Sequence, residues 1–231
     1  MPRKFISIRF TALAAAALIF LAVAAYAGPP LICHTIDIGN ASSLPWISHD
    51  WKLTGAENYD TSRLAPDTIT ILDSNPTVLV HMETLRRATL YARQDPRAAK
   101  ELLTKLVARA NNAEASGHAD GLARFDAGYV SEAYGQAFAE DRNPANGLDG
   151  YSWVKQALAL RGNDPQMEFA AALITLSGPA GEHRGHVEKA VGGAKSDPLL
   201  ARNLASHFIG PQTETMAEMF NRGMPVAKVQ R

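Results

Sequence analysis

From about residue 77 the apolar positions recur every three or four residues, the period of a helix with one packed face. The spacing predicts helices over 77–93, 96–113, 120–140, 148–161, 165–176, 182–195, 198–208 and 212–222. In 96–113, Ala99, Leu102, Leu103, Leu106, Val107 and Ala110 form one stripe, with Arg97, Lys100, Glu101, Lys105 and Arg109 opposite. In 120–140 the stripe is Leu122, Phe125, Tyr129, Val130, Ala133, Tyr134 and Phe138. Segment 165–176 is apolar nearly all round, which marks it for the centre of the fold.

The helix starts carry their own chemistry. Asp95-Pro96, Asp164-Pro165 and Asp197-Pro198 each set a carboxylate before a proline. The carboxylate accepts from an orphan backbone N–H, and proline has no N–H to orphan. Asn75-Pro76 and Asn143-Pro144 repeat the pattern with an amide, and Gly117, Gly147, Gly162, Gly178 and Gly210 close segments. Asp164 and Asp197 stand one hairpin repeat apart, close to the period of tetratricopeptide hairpins, although the Trp, Leu-Gly and Tyr positions of that consensus are missing. The pattern predicts an all-α protein, its helix hairpins stacked in a small superhelix or in an irregular bundle.

Upstream the texture changes. Residues 28–76 are rich in Pro, Gly, Ser, Asn and Asp, with Trp46, Trp51 and Tyr59 as scattered anchors. Alternations such as Ile36-Asp37-Ile38 and Ile69-Thr70-Ile71 suggest at most a short strand in an extended, mostly irregular arm. Before it, Arg3, Lys4 and Arg9 precede an uncharged apolar stretch, Thr11 to Ala25, and Ala25-Tyr26-Ala27 offers small residues at a cleavage site. That layout is a secretory signal. The stretch falls short of the roughly 20 apolar residues a membrane-spanning helix needs. The expected organisation is a signal peptide over 1–27, an arm over 28–76 and a helical domain over 77–231.

Composition narrows the function classes. The 231 residues carry 23 basic and 23 acidic side chains, and removal of 1–27 deletes three basic groups and no acidic one. The mature chain is mildly acidic, which argues against nucleic-acid binding. No later stretch is long and apolar enough for a membrane span. A periplasmic or secreted location is expected. The single cysteine excludes a disulfide framework and paired-cysteine zinc sites.

Little of the sequence points to chemistry. Cys33-His34 is half of a Cys-x-x-Cys-His haem attachment site, with Pro30 where the first cysteine would stand. Its bland alternative is a small buried thiol beside a polar neighbour, and a nucleophilic Cys33 would need His34 or His49 as base. Ile32 before Cys33 does not suit a lipoprotein anchor. His183 and His186, three apart in EHRGHVE, share a helix face and make a candidate pair of metal ligands, although Gly185 weakens that helix. No hydrolytic carboxylate pair can be picked out: Glu83, Asp126, Glu132 and Glu168 lie on helices with apolar stripes, the sequence does not fix their separations, and most read as surface ions or helix charge partners. Serine-elbow, phosphate-loop and dinucleotide motifs are absent.

The opening GPPLICH-x-IDIG and the strings METLRRA…DPRAA, FDAGY and DPLLA…NL resemble an uncharacterised family of exported bacterial α-helical proteins. The resemblance spans most of the mature chain and implies the fold and the export, without an activity. Within those strings Glu83, Arg86 and Asp126 suit an ion-pair network between neighbouring helices. The leading expectation is a non-catalytic module that binds a protein or peptide of the envelope, with Trp46 and Trp51 packing the arm across the helices. The alternatives are a haem- or metal-binding envelope protein and a hydrolase of an envelope polymer.

Overall fold

A computed structural model of the chain describes residues 29–47, 53, 55–75, 77–178 and 180–208. The expected signal peptide, His49, Trp51 and the helix expected over 212–222 lie outside them. Among the described residues there are nine α-helices and no strand. The helices are α1 (Pro30–Cys33), α2 (Leu64–Ser74), α3 (Val78–Ala92), α4 (Pro96–Ala115), α5 (Gly121–Ala137), α6 (Gly150–Leu160), α7 (Pro165–Ile174), α8 (Ala180–Ala194) and α9 (Pro198–Phe208). No helix among them is long and apolar enough to cross a membrane.

The aspartate caps act as their spacing predicts. Asp95 accepts from the Arg97 and Ala98 amides, Asp164 from Gln166 and Met167, and Asp197 from Leu199 and Leu200. Asp120 and Asp149 cap α5 and α6 in the same way without a proline after them. Asn143 instead turns the chain, its side chain accepting from the Ala145 amide several residues before α6 begins.

Two helices fall within the expected arm. The Ile69-Thr70-Ile71 alternation lies inside α2, whose buried positions are Leu64, Ala65, Thr68 and Leu72. That spacing is helical, so the Leu64-Thr68-Leu72 stripe outweighs the local alternation. The rest of the arm is irregular, with one isolated bridge between Trp46 and Gly55.

The core is layered around α3, α5 and α7. Every residue of α3 but Arg87 is buried. In α7 the run from Met167 to Leu173 is buried without a break, which places this helix at the centre as its composition predicts. The helix α5 packs against α1, α3, α4, α6 and α7, and its packing with α6 is the most extensive between two helices among the described residues. Gly128 makes that crossing possible. A Cβ there would lie 2.7 Å from the Gly150 carbonyl oxygen, 2.9 Å from Trp153 Cβ and 3.0 Å from the Val154 nitrogen. Two of these atoms are backbone, so Gly128→Ala forces the helices apart. We expect a loss of about 1–3 kcal/mol in urea unfolding, the usual cost of overpacking. At Gly135 on the same helix a Cβ meets nothing within 4 Å. Gly135→Ala is therefore expected to stabilise the protein, since alanine favours helix by about 1 kcal/mol. Equal effects at the two positions would refute the crossing argument.

Candidate functional site

The buried polar chemistry gathers where the arm meets the helices. Leu31 and Ile32 are buried and carry α1 in among α3, α5 and α7. Helix α3 fastens α1 and the stretch of arm after it. Arg86 Nε and Nη2 donate to Glu83 at 2.7 and 2.9 Å, and Arg86 Nη1 donates to the Ile32 carbonyl at 3.0 Å. The Ile36 amide donates to Glu83 at 3.0 Å. Arg87 donates to Glu83 at 2.7 Å and to the Leu44 carbonyl at 2.6 Å. One turn on, the Tyr91 hydroxyl donates to the Pro45 carbonyl and accepts from the Ala56 amide, while Trp46 and Tyr59 pack on its ring. A buried arginine and glutamate hold the backbone of the arm.

Cys33 and His34 leave the end of α1 at the rim of this network. Burial pushes the Cys33 thiol up, and the nearby charges of Arg86 and Arg93 only partly oppose it. A thiol held protonated is a poor nucleophile. The structure brings to His34 a residue the sequence did not single out, His207 of α9, with ring centroids 5.4 Å apart and planes tilted by 56°. Leu200, Leu204 and His207 share a face of α9, at intervals of four and three residues, and both leucines are buried. Asn203 and Arg202 pin this helix to the arm. The Asn203 side chain donates to the Asp37 carbonyl and accepts from the Asp37 amide, each at 2.8 Å, and Arg202 pairs with the Asp37 carboxylate.

The His207 tautomer follows from its partner. Nδ1 lies 2.8 Å from the Asn203 carbonyl, which can only accept, so Nδ1 carries the proton and Nε2 the lone pair. Nε2 is buried and has no hydrogen-bond partner among the described residues. Burial pushes the ring's pKa down to about 4, and the Asn203 hydrogen bond does not offset it. Phe169 meets the ring edge-on at 5.3 Å. The Tyr129 hydroxyl is another buried polar atom without a partner among the described residues, its pKa raised first by burial and then by Glu83.

The other candidate carboxylates lie elsewhere. The expected Glu83–Arg86–Asp126 network is two networks. Asp126 takes His81 Nδ1 at 2.6 Å and Arg109 Nη1 at 2.9 Å, and Arg109 also reaches Asp73 of α2. Glu168 of α7 is fully buried and holds both His186 Nδ1 and Lys189 Nζ of α8. Burial works against the Glu168 charge, but these two partners overcome it and keep its pKa low. His186 Nε2 lies 2.7 Å from the Tyr151 hydroxyl, which donates to Glu182 at 3.0 Å. Glu132 accepts from the Tyr151 amide at 2.8 Å, and burial raises its pKa.

His183 and His186 share a helix face as their spacing predicts, but each has its own engagement. His183 Nδ1 donates to the Ala172 carbonyl at 3.0 Å and its ring meets Phe208, while His186 spans Glu168 and Tyr151. Among the described residues no group of three or more His, Cys, Asp or Glu side chains is arranged to hold a metal ion. Comparison with family models, curated proteins and solved structures yields no match.

Proposed function

We propose that this chain is exported, loses residues 1–27, and works in the envelope as a non-catalytic helical module that binds a protein or peptide. The observation that carries this reading is the use made of the buried carboxylates. Glu83, Asp126 and Glu168 are each fully buried, and each is committed to cations, imidazoles or arm amides that join one element to another. A hydrolytic pair needs one carboxyl group held as an acid beside another left free as a base or nucleophile. Here the charged groups build a rigid body around the arm, and helix hairpins such as α5–α6 and α7–α8 offer surfaces to a partner.

The reading is tested by expressing the full chain with a C-terminal tag in an exporting bacterium. The expected product starts at Gly28 in the envelope fraction, gives discrete photo-crosslinked adducts from positions on α6 and α8, and leaves a panel of glycan and peptide substrates intact. Full-length chain in the cytosol, or turnover of any of those substrates, overturns it.

A further inference from the structure

We propose that residues 181–189 of α8 are docked by a proton-operated latch. His186, charged and clasped between Glu168 of α7 and Tyr151 of α6, holds the segment, and loss of its proton loosens it. The inference stands apart from the binding-module reading.

The segment has little else to hold it. None of residues 181–189 is fully buried, whereas Ala190, Val191 and Ala194 further along α8 are. Val187 packs on the core but is only partly buried. At Gly181 and Gly185 a Cβ would meet nothing within 4 Å, so packing does not call for glycine at either position. Each glycine costs the helix about 1 kcal/mol against alanine. The fastening is polar instead. His183 Nδ1 donates to the Ala172 carbonyl at 3.0 Å, and the other ties run through Glu182, His186 and Lys189. A segment with few buried apolar contacts opens more readily than the body it rests on.

Hydrogen-bond accounting fixes the charge on His186. Its bond and that of Lys189 keep the Glu168 pKa low against the effect of burial, so the carboxylate only accepts. It takes Lys189 Nζ at 2.9 Å on one oxygen and His186 Nδ1 on the other. Burial, then Glu182 and Glu168, push the Tyr151 pKa up, so its hydroxyl keeps its one hydrogen. That hydrogen goes to Glu182 at 3.0 Å. His186 Nε2, 2.7 Å from the same hydroxyl oxygen, is left to donate to it. Both ring nitrogens therefore carry hydrogen, and the ring is an imidazolium.

A neutral ring cannot serve both partners. With its hydrogen on Nδ1 it keeps Glu168, but Nε2 then takes the Tyr151 hydrogen, and Glu182 in the first turn of α8 is released. With its hydrogen on Nε2 it turns a lone pair on the Glu168 carboxylate. Either way a tie is lost, so the proton and the docked segment favour each other. The groups that set this balance come from each neighbouring element. Helix α7 supplies Glu168, and α6 supplies Tyr151 and Lys155, whose Nζ lies 4.5 Å from the Tyr151 ring centroid. Helix α8 itself adds Glu182, His183 and Lys189, and Glu132 of α5 accepts from the Tyr151 amide. Helix α9 meets the segment through Phe208 on the His183 ring, while His207 faces Phe169 and His34, and Arg202 pairs with Asp37.

The test is hydrogen–deuterium exchange of the chain purified from an exporting bacterium, with rates corrected for the intrinsic effect of pH, beside nitrogen-15 spectra of the histidine rings. At pH 5.5 His186 should show two N–H nitrogens, and residues 181–189 should be protected. At pH 9 their protection should fall by at least about tenfold, the worth of one hydrogen bond to a charged group, while α7 stays protected. His186→Gln should leave the segment weakly protected at both pH values. Tyr151→Phe removes the hydroxyl that relays the proton to Glu182, so it should lower protection at pH 5.5 and shrink the pH effect. That variant lies nearer the surface and serves if His186→Gln fails to fold by circular dichroism. His183→Gln should keep the pH effect, because its partner is a carbonyl that needs no charge. Equal protection of the wild-type segment at both pH values, or a His186 ring with one N–H at pH 5.5, overturns the latch. So does a pH effect that survives in His186→Gln, is undiminished in Tyr151→Phe, or vanishes in His183→Gln.

Discussion

Glu83→Gln should cost about 3–5 kcal/mol of folding stability, the range for breaking a buried ion pair by removing one partner. The substitution keeps the shape and removes the charge. Arg86 is 1% exposed and would keep its charge with only the Ile32 carbonyl and a neutral amide as acceptors. Arg87, less buried, would lose its charge partner and could turn toward water. One amide oxygen cannot replace two carboxylate oxygens that serve Arg86 Nε, Arg86 Nη2, Arg87 Nε and the Ile36 amide. The loss should be larger than for Arg87→Gln, where the Glu83–Arg86 pair survives. The measurement is urea unfolding of both variants, with limited proteolysis between residues 34 and 47. Protease should cut the arm of Glu83→Gln well below its unfolding midpoint, because Ile36 and the Ile32 carbonyl lose their shared anchor. A loss under 1 kcal/mol, or an arm as resistant as in the wild type, would show that α3 does not hold it.

The fold class could be read from the chain because helices with one apolar stripe, aspartate caps and glycine stops leave local marks. Gly117, Gly147 and Gly162 adopt positive φ, a conformation that glycine takes without strain. Gly178 closes its segment at a φ of −92°, so that stop depends on something other than left-handed backbone. The helix α2 was hidden because its stripe runs through a Pro-, Asp- and Thr-rich segment, where the isoleucines on either side of Thr70 imitate a strand. The site was hidden for a different reason. His207 is joined to His34 by the packing of α9 against the arm, and no spacing rule links positions so far apart in sequence. A histidine in line with Leu200 and Leu204 on an apolar face was the one local hint. His81, set in VLVHMETL, carried the same hint. The charges in METLRRA read as helix charge partners or an ion-pair network between helices; the arm covers that side of α3 and takes their hydrogen bonds.

Asp126→Asn should destabilise the protein by about 3–5 kcal/mol at pH 5.5 and by measurably less at pH 9. The reason is His81. Its Nε2 meets the Asn75 carbonyl at 2.6 Å and its Nδ1 meets the Asp126 carboxylate at 2.6 Å; both partners are acceptors, so the ring carries both protons. Burial opposes that charge most strongly, and Arg109 opposes it weakly. The charge and hydrogen bond of Asp126, helped by Asn75, outweigh both and raise the His81 pKa. A histidine whose folded pKa lies above its unfolded value, about 6.5, contributes fully below that value. The contribution fades as the pH rises through the folded pKa. Without the Asp126 charge, burial and Arg109 are opposed only by the Asn75 carbonyl, the His81 pKa falls below the unfolded value, and acid becomes destabilising at this position. The gap between wild type and variant therefore widens toward low pH, while the lost Arg109 pair contributes the same amount throughout. His81→Gln removes the titrating group, so adding Asp126→Asn to it should produce a gap that does not change with pH. Urea unfolding at both pH values, for the four combinations, measures this directly. A wild-type gap that stays constant with pH or grows toward alkaline pH, or a gap in the His81→Gln background that still widens toward acid, would place the proton elsewhere.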